Sequence, residues 1–130
     1  MKLNKILLLS VLLSFASILS GEGKKVSWPA AFVDIGILQA EKLLKSGNVI
    51  LLDVRTDREV KAGHIKGAQQ INYNSREFEA LIKKLDRSQN YIVYCAVGGR
   101  SRRAVDLMEK LKFKSVYNLK GGYGAWTEKD

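Results

Sequence analysis

Leu38, Ala40, Leu43 and Leu44 recur at helical spacing, and Gly47 follows as a residue that can close a helix in the left-handed conformation. Val49-Ile50-Leu51-Leu52-Asp53-Val54 is apolar at every place but one, the pattern of a strand buried on both faces. Gly63-His64-Ile65-Lys66-Gly67 reads as a turn, and residues 68–72 as a short strand. Asn74 with Glu77 three residues on predicts a capped helix start. Phe78, Leu81, Ile82 and Leu85 fall on one face of the helix that follows. Tyr91-Ile92-Val93-Tyr94-Cys95 predicts a second buried strand. A glycine-containing loop over 96–101 separates it from a helix over 102–112, with Ala104, Val105, Met108 and Leu111 on one side. Residues 115–119 give a further strand, and Gly121-Gly122-Tyr123-Gly124 a turn before Trp126. Strands alternating with helices of this length specify an α/β fold: a mostly parallel central sheet with helices on both faces. One domain over residues 33–128 accommodates the whole pattern, with no repeat and no linker.

The chain begins differently. Lys2 and Lys5 precede an apolar run over residues 6–19 that is interrupted by Ser10, Ser14 and Ser17, and the small residues Ser20 and Gly21 follow. That order is a secretory signal peptide over residues 1–20. An uncleaved anchor is the competing reading, but the run is shorter than the ~20 residues a membrane-spanning helix needs. No stable membrane anchor is therefore expected. Cleavage would deliver a periplasmic or secreted protein.

Composition narrows the chemistry. Hydrophobic residues make up 46% and charged residues 27%, which excludes a disordered chain. One cysteine, Cys95, excludes an intramolecular disulfide framework and a cysteine-rich zinc site, and one histidine, His64, excludes a paired-histidine metal helix. Lys and Arg number 22 against 13 acids, a formal charge of +9 that becomes +7 once Lys2 and Lys5 leave with the leader. The cations are scattered, and export separates the protein from the cell's own nucleic acid, so no nucleic-acid partner is expected.

The sharpest local feature is Cys95-Ala96-Val97-Gly98-Gly99-Arg100-Ser101, a cysteine at the end of a buried strand, a short loop and a helix start near Ser101 or Arg102. In open α/β sheets ligands bind beyond the carboxyl ends of strands. A helix N-terminus offers unpaired N–H groups and a positive dipole end, which suit an anion and stabilise a thiolate. Gly98 and Gly99 would let the backbone curl round a sulfur or an oxyanion, and Arg100 adds a forked cationic donor. A cysteine here is also read as an inert core residue. The glycine-arginine-serine loop and the need to explain an unpaired thiol in an exported protein favour the catalytic reading.

These residues resemble the active-site loop of single-domain rhodaneses, the thiosulfate sulfurtransferases, which often reads Cys-x-x-Gly-x-Arg-Ser. Leu51-Leu52-Asp53-Val54-Arg55, Glu59 and Gly63-His64-Ile65-Lys66-Gly67-Ala68 resemble the family's N-terminal signature, and Gly121-Gly122 with Trp126 its closing segment. The likeness runs from about residue 36 to 127. It implies a rhodanese-like domain and a Cys95 persulfide that carries sulfur from thiosulfate, or a similar small anionic donor, to a thiol or cyanide acceptor. It further implies that the backbone of Ala96, Val97, Gly98, Gly99, Arg100 and Ser101 cradles the persulfide, that Arg100 holds the donor's sulfonate, and that no cofactor or metal is needed. Under the same resemblance His64 belongs to a structural turn. Asp53 and Arg55 are expected to hold neighbouring loops, with Asp53 able to orient the active-site loop. Cations at Arg102 and Arg103, on the positive end of a helix, favour an anion nearby.

Three other readings compete. Cysteine phosphatases and arsenate reductases place five residues between cysteine and arginine, whereas four separate Cys95 from Arg100. A redox role lacks a second cysteine. A non-enzymatic sulfur-carrier or binding module remains the main alternative.

Overall fold

The computed structural model describes residues 26–129, so the leader expected over residues 1–20 lies outside the described residues. Along them run β1 (Asp34–Ile35), α1 (Ile37–Ser46), β2 (Ile50–Asp53), α2 (Asp57–Ala62), β3 (Gln69–Gln70), α3 (Phe78–Lys83), β4 (Asn90–Tyr94), α4 (Gly99–Lys110), β5 (Ser115–Leu119) and α5 (Gly122–Glu128). The strands form one sheet in the order β1-β5-β4-β2-β3, and every pairing is parallel. The sheet is thus wholly rather than mostly parallel.

β2, β4 and β5 are largely apolar because both faces are covered, whereas β3 at the sheet margin is Gln69-Gln70, both exposed. Successive side chains of a strand point to opposite faces. Tyr91, Val93 and Cys95 go to one side with Leu52, Val54 and Val116, against Phe78 and Ile82 of α3 and Ala104, Val105 and Met108 of α4. Ile92 and Tyr94 go to the other with Leu51, Tyr117 and Leu119, against Ala40 and Leu43 of α1 and the half-buried Tyr123 and Trp126 of α5. Since all strands run the same way, the segments leaving β2, β4 and β5 emerge at one edge of the sheet. Cys95 lies at that edge.

Several local expectations change. Leu38 is 76% exposed, so the buried face of α1 is carried by Ala40 and Leu43 with Ile37 and Leu44 beside them. Gly47 closes α1 as expected, at φ +76°. Asn74 does not cap α3: the Asn72 side chain accepts from Asn74 N–H in a local turn, Ser75 hydroxyl donates to Glu77, and α3 begins at Phe78 without a side-chain cap. Leu81 is 39% exposed and leaves the buried face to Phe78 and Ile82. β3 is shorter than the expected 68–72, though Ile71 N–H to Asp53 O and Tyr73 N–H to Val54 O carry the pairing onward.

Candidate active site

β4 delivers Cys95 to the loop, and α4 receives it. Gly98 is the N-cap residue of α4 at φ +118°, a conformation that side chains resist, and its N–H donates to Cys95 Sγ at 3.0 Å. The helix begins at Gly99, earlier than the expected Ser101 or Arg102. Ser101, fully buried in its first turn, donates its hydroxyl to Sγ at 3.3 Å. Gly99 has ordinary backbone angles and open space where a Cβ would stand, so of the two glycines only Gly98 is demanded by the bend. Val97 projects outward at 78% exposure, while Cys95 is 1% exposed at the floor of the loop.

Two effects oppose each other at the thiol. Burial raises its pKa, but hydrogen bonds from the Ser101 hydroxyl and from the N–H groups of Ser101, Gly98 and Val97 outweigh it and hold the pKa below the ordinary thiol value. The thiolate is therefore the favoured form more often than in a free cysteine.

Arg100 leaves the same turn and meets α2. Its two terminal nitrogens each lie 2.8 Å from an oxygen of Glu59, a bidentate pair across 41 residues of sequence. Glu59 also accepts from the Thr56 N–H and hydroxyl, while Thr56 Oγ1 accepts from Glu59 N–H, a complete capping box at the start of α2. The hydrogen bond from Arg100 leads the causes that hold the Glu59 carboxyl down to about 2. The family resemblance points Arg100 at the donor's sulfonate and gives Glu59 no role beyond its place in the signature. The Thr56-x-x-Glu59 spacing was the available signal.

Other candidates sit apart from the sulfur. Arg102 pairs with Asp34 and Asp106 and donates to Phe32 O, so its charge at the helix start is met by carboxylates of the protein itself. Asn118 Nδ2 donates to the same Asp34 oxygen at 2.9 Å, which ties α4 to β1 and β5. Asp53 and Arg55 form a buried pair. Arg55 donates to Gly63 O and lies 4.2 Å from the centre of the Tyr123 ring, holding a neighbouring loop as expected. The hydrogen bonds of Asp53 go to Arg55, not to the 96–101 loop. His64 is exposed, with Nδ1 3.4 Å from Val60 O.

Two hollows lie apart from the loop. A hollow of about 540 Å³ between α1, β2 and Trp126, and one of about 820 Å³ beside Leu38, contain no residue of the 95–101 loop. Among the described residues no three His, Cys, Asp or Glu side chains converge as a metal site. What the loop offers is a thiol inside a ring of donors at a helix N-terminus, next to a paired guanidinium.

Comparisons with known proteins point the same way. The family described as "Rhodanese-like domain" matches residues 37–129. Thiosulfate sulfurtransferase GlpE of Pseudoalteromonas translucida is 31% identical over 96 residues, covering 74% of this chain and 90% of that protein. Thiosulfate sulfurtransferase 16, chloroplastic, of Arabidopsis thaliana is 34% identical over 104 residues, covering 72% and 86%. Among solved structures, the human single-domain sulfurtransferase TSTD1 superposes with a TM-score of 0.66 at 26% identity, covering 75% of this chain and 96% of the other.

Proposed function

The chain belongs to the rhodanese-like domain family, and on that premise we propose that it is a sulfurtransferase working through a Cys95 persulfide. The observation that carries the reading is the convergence of the Gly98 N–H and the Ser101 hydroxyl on Sγ at the start of α4. Cys95 thiolate attacks the outer sulfur of thiosulfate; the bond between that sulfur and the sulfonate breaks, and its electron pair leaves with sulfite. Cys95 then carries one extra sulfur as a persulfide anion, held by the loop N–H groups as the thiolate was. Cyanide or a thiolate attacks the terminal sulfur, forms thiocyanate or a new persulfide, and returns the Cys95 thiolate. Neither step needs an outside oxidant or reductant.

Arg100 fits this scheme in two ways. Glu59 occupies two of its N–H donors and fixes the guanidinium against α2, which stiffens the loop. A guanidinium has five such donors, so others remain to meet the sulfonate oxygens. The buried floor on which Cys95 lies suits transfer of a single sulfur atom better than of a bulky group.

Thiocyanate production from thiosulfate and cyanide tests the reading. Wild type should turn over, Cys95→Ser should fall to the uncatalysed level, and equal rates for the two proteins would overturn it. The leader belongs to the same proposal: cleavage after a signal peptide over residues 1–20 should leave a mature exported chain. N-terminal sequencing of protein recovered outside the cytoplasm checks this, and recovery of intact Met1 there contradicts it.

A further inference from the structure

Gly121-Gly122-Tyr123-Gly124, which the sequence reads as a turn, is the N-cap and first turn of α5; it has no part in the transfer scheme, yet it bonds the reactive loop directly. Tyr123 N–H donates to Cys95 O at 2.8 Å, and Gly124 N–H donates to Ala96 O at 3.1 Å. Both donors belong to the first turn of α5, where a helix has no internal acceptor for them. A Cβ on Gly122, whose φ is +59°, would stand 2.4 Å from Cys95 O and 2.8 Å from both Ala96 C and Ala96 O. Those are backbone atoms and cannot swing aside. Neighbouring glycines differ: a Cβ at Gly124 would meet Ala96 O at an ordinary 3.6 Å, and one at Gly121 would strike Ala125 of its own helix.

The consequence for the sulfur follows from peptide geometry. In a trans peptide the C=O and the next N–H point in opposite directions. Drawing Ala96 O toward α5 therefore turns the Val97 N–H away from α5, in the loop whose next N–H, that of Gly98, donates to Cys95 Sγ at 3.0 Å. We propose that Gly122 is a positioning residue for Cys95: its missing side chain lets α5 grip the Cys95 and Ala96 carbonyls and so keeps the loop N–H groups aimed at Sγ. The inference rests on Cys95 being the nucleophile of the proposed transfer. The charged group facing Cys95 is the Arg100 guanidinium, itself paired with Glu59.

The test is the rate of Cys95 alkylation by iodoacetamide across pH, on the full chain, for wild type, Gly122→Ala and Gly67→Ala. Gly67 also has a positive φ, +84°, but no atom lies within 4 Å of its would-be Cβ, so it carries comparable backbone strain away from the loop. Gly122→Ala should move the alkylation midpoint upward by about one pH unit, the tenfold scale of one such interaction, and lower kcat for thiocyanate about tenfold. Gly67→Ala should keep the wild-type midpoint. A folded Gly122→Ala with the wild-type midpoint overturns the proposal. Should Gly122→Ala fail to fold, Gly124→Pro removes the N–H to Ala96 O at a first-turn position and is read by the same profile, an unchanged midpoint again overturning it. On the unmodified protein, the Tyr123 and Gly124 amide resonances should titrate with the Cys95 midpoint, and constant shifts there overturn it also. Alkylation needs no sulfur donor. A shifted midpoint in a protein that never accepts sulfur would sink the transfer reading, leaving Gly122 to position the Cys95 thiolate with no part in sulfur transfer; an unshifted midpoint in a protein that does accept sulfur would sink the Gly122 proposal alone.

Discussion

At Cys95 the balance between burial and hydrogen bonding decides whether the sulfur is inert or reactive. Burial alone would leave a protonated core thiol, and the Ser101 hydroxyl leads the donors that reverse the sign. Ser101→Ala should therefore raise the pH at which half of Cys95 is alkylated by roughly one to two units, since hydrogen bonds to charged groups contribute about 1.5–3 kcal/mol. An unchanged midpoint would return Cys95 to the inert reading. Glu59 makes a second residue-scale prediction. Its carboxyl is held at about 2 against an ordinary 4.5, so the ionised form stabilises the fold. That contribution is complete above pH 4.5 and disappears as pH falls toward 2. Urea unfolding followed across this window should show a loss of stability in wild type that is smaller in Glu59→Gln.

Among the elements, α2 shows both what a sequence reveals and what it hides. It has six residues and buries none of them, so it leaves no apolar periodicity to find. Its start is nonetheless written in Thr56-x-x-Glu59, a capping pattern that Asn74 and Glu77 imitate without forming. There the Asn72 side chain had already claimed the Asn74 N–H. Thr56→Ala should cost about 1 kcal/mol, the usual loss for a capping threonine. Thermal unfolding should register it as a drop of several degrees. Because Glu59 then loses the Thr56 hydroxyl, Arg100 is held less firmly, and turnover should fall along with stability. β2, β4 and β5 are legible because strands covered on both faces are largely apolar, even with Asp53 and Asn118 buried in them. β1, of two residues, is too short to show any pattern.

Across the whole molecule, the parallel sheet gathers at one edge residues that the chain keeps far apart. Glu59 reaches Arg100, Tyr123 reaches Cys95, and Asp34 reaches both Arg102 and Asn118. The sulfur and its own loop could be read from contiguous sequence, because strand end, glycine bend and helix start are local signals. The grips on that loop could not, since hydrogen bonds between distant segments leave no periodicity in either partner. Arg102 illustrates the difference: its place at a helix start is legible in the sequence, but its pairing with Asp34 and Asp106 is not. In the proposed function this arrangement stores one sulfur atom on Cys95. The most direct test is the intact mass of the purified protein after thiosulfate treatment, with Cys95→Ser treated in parallel. The account predicts a gain of one sulfur on the wild type, absent from the variant and released by cyanide as thiocyanate. No gain on a wild-type protein whose Cys95 has first been shown to be reduced and open to alkylation would contradict it.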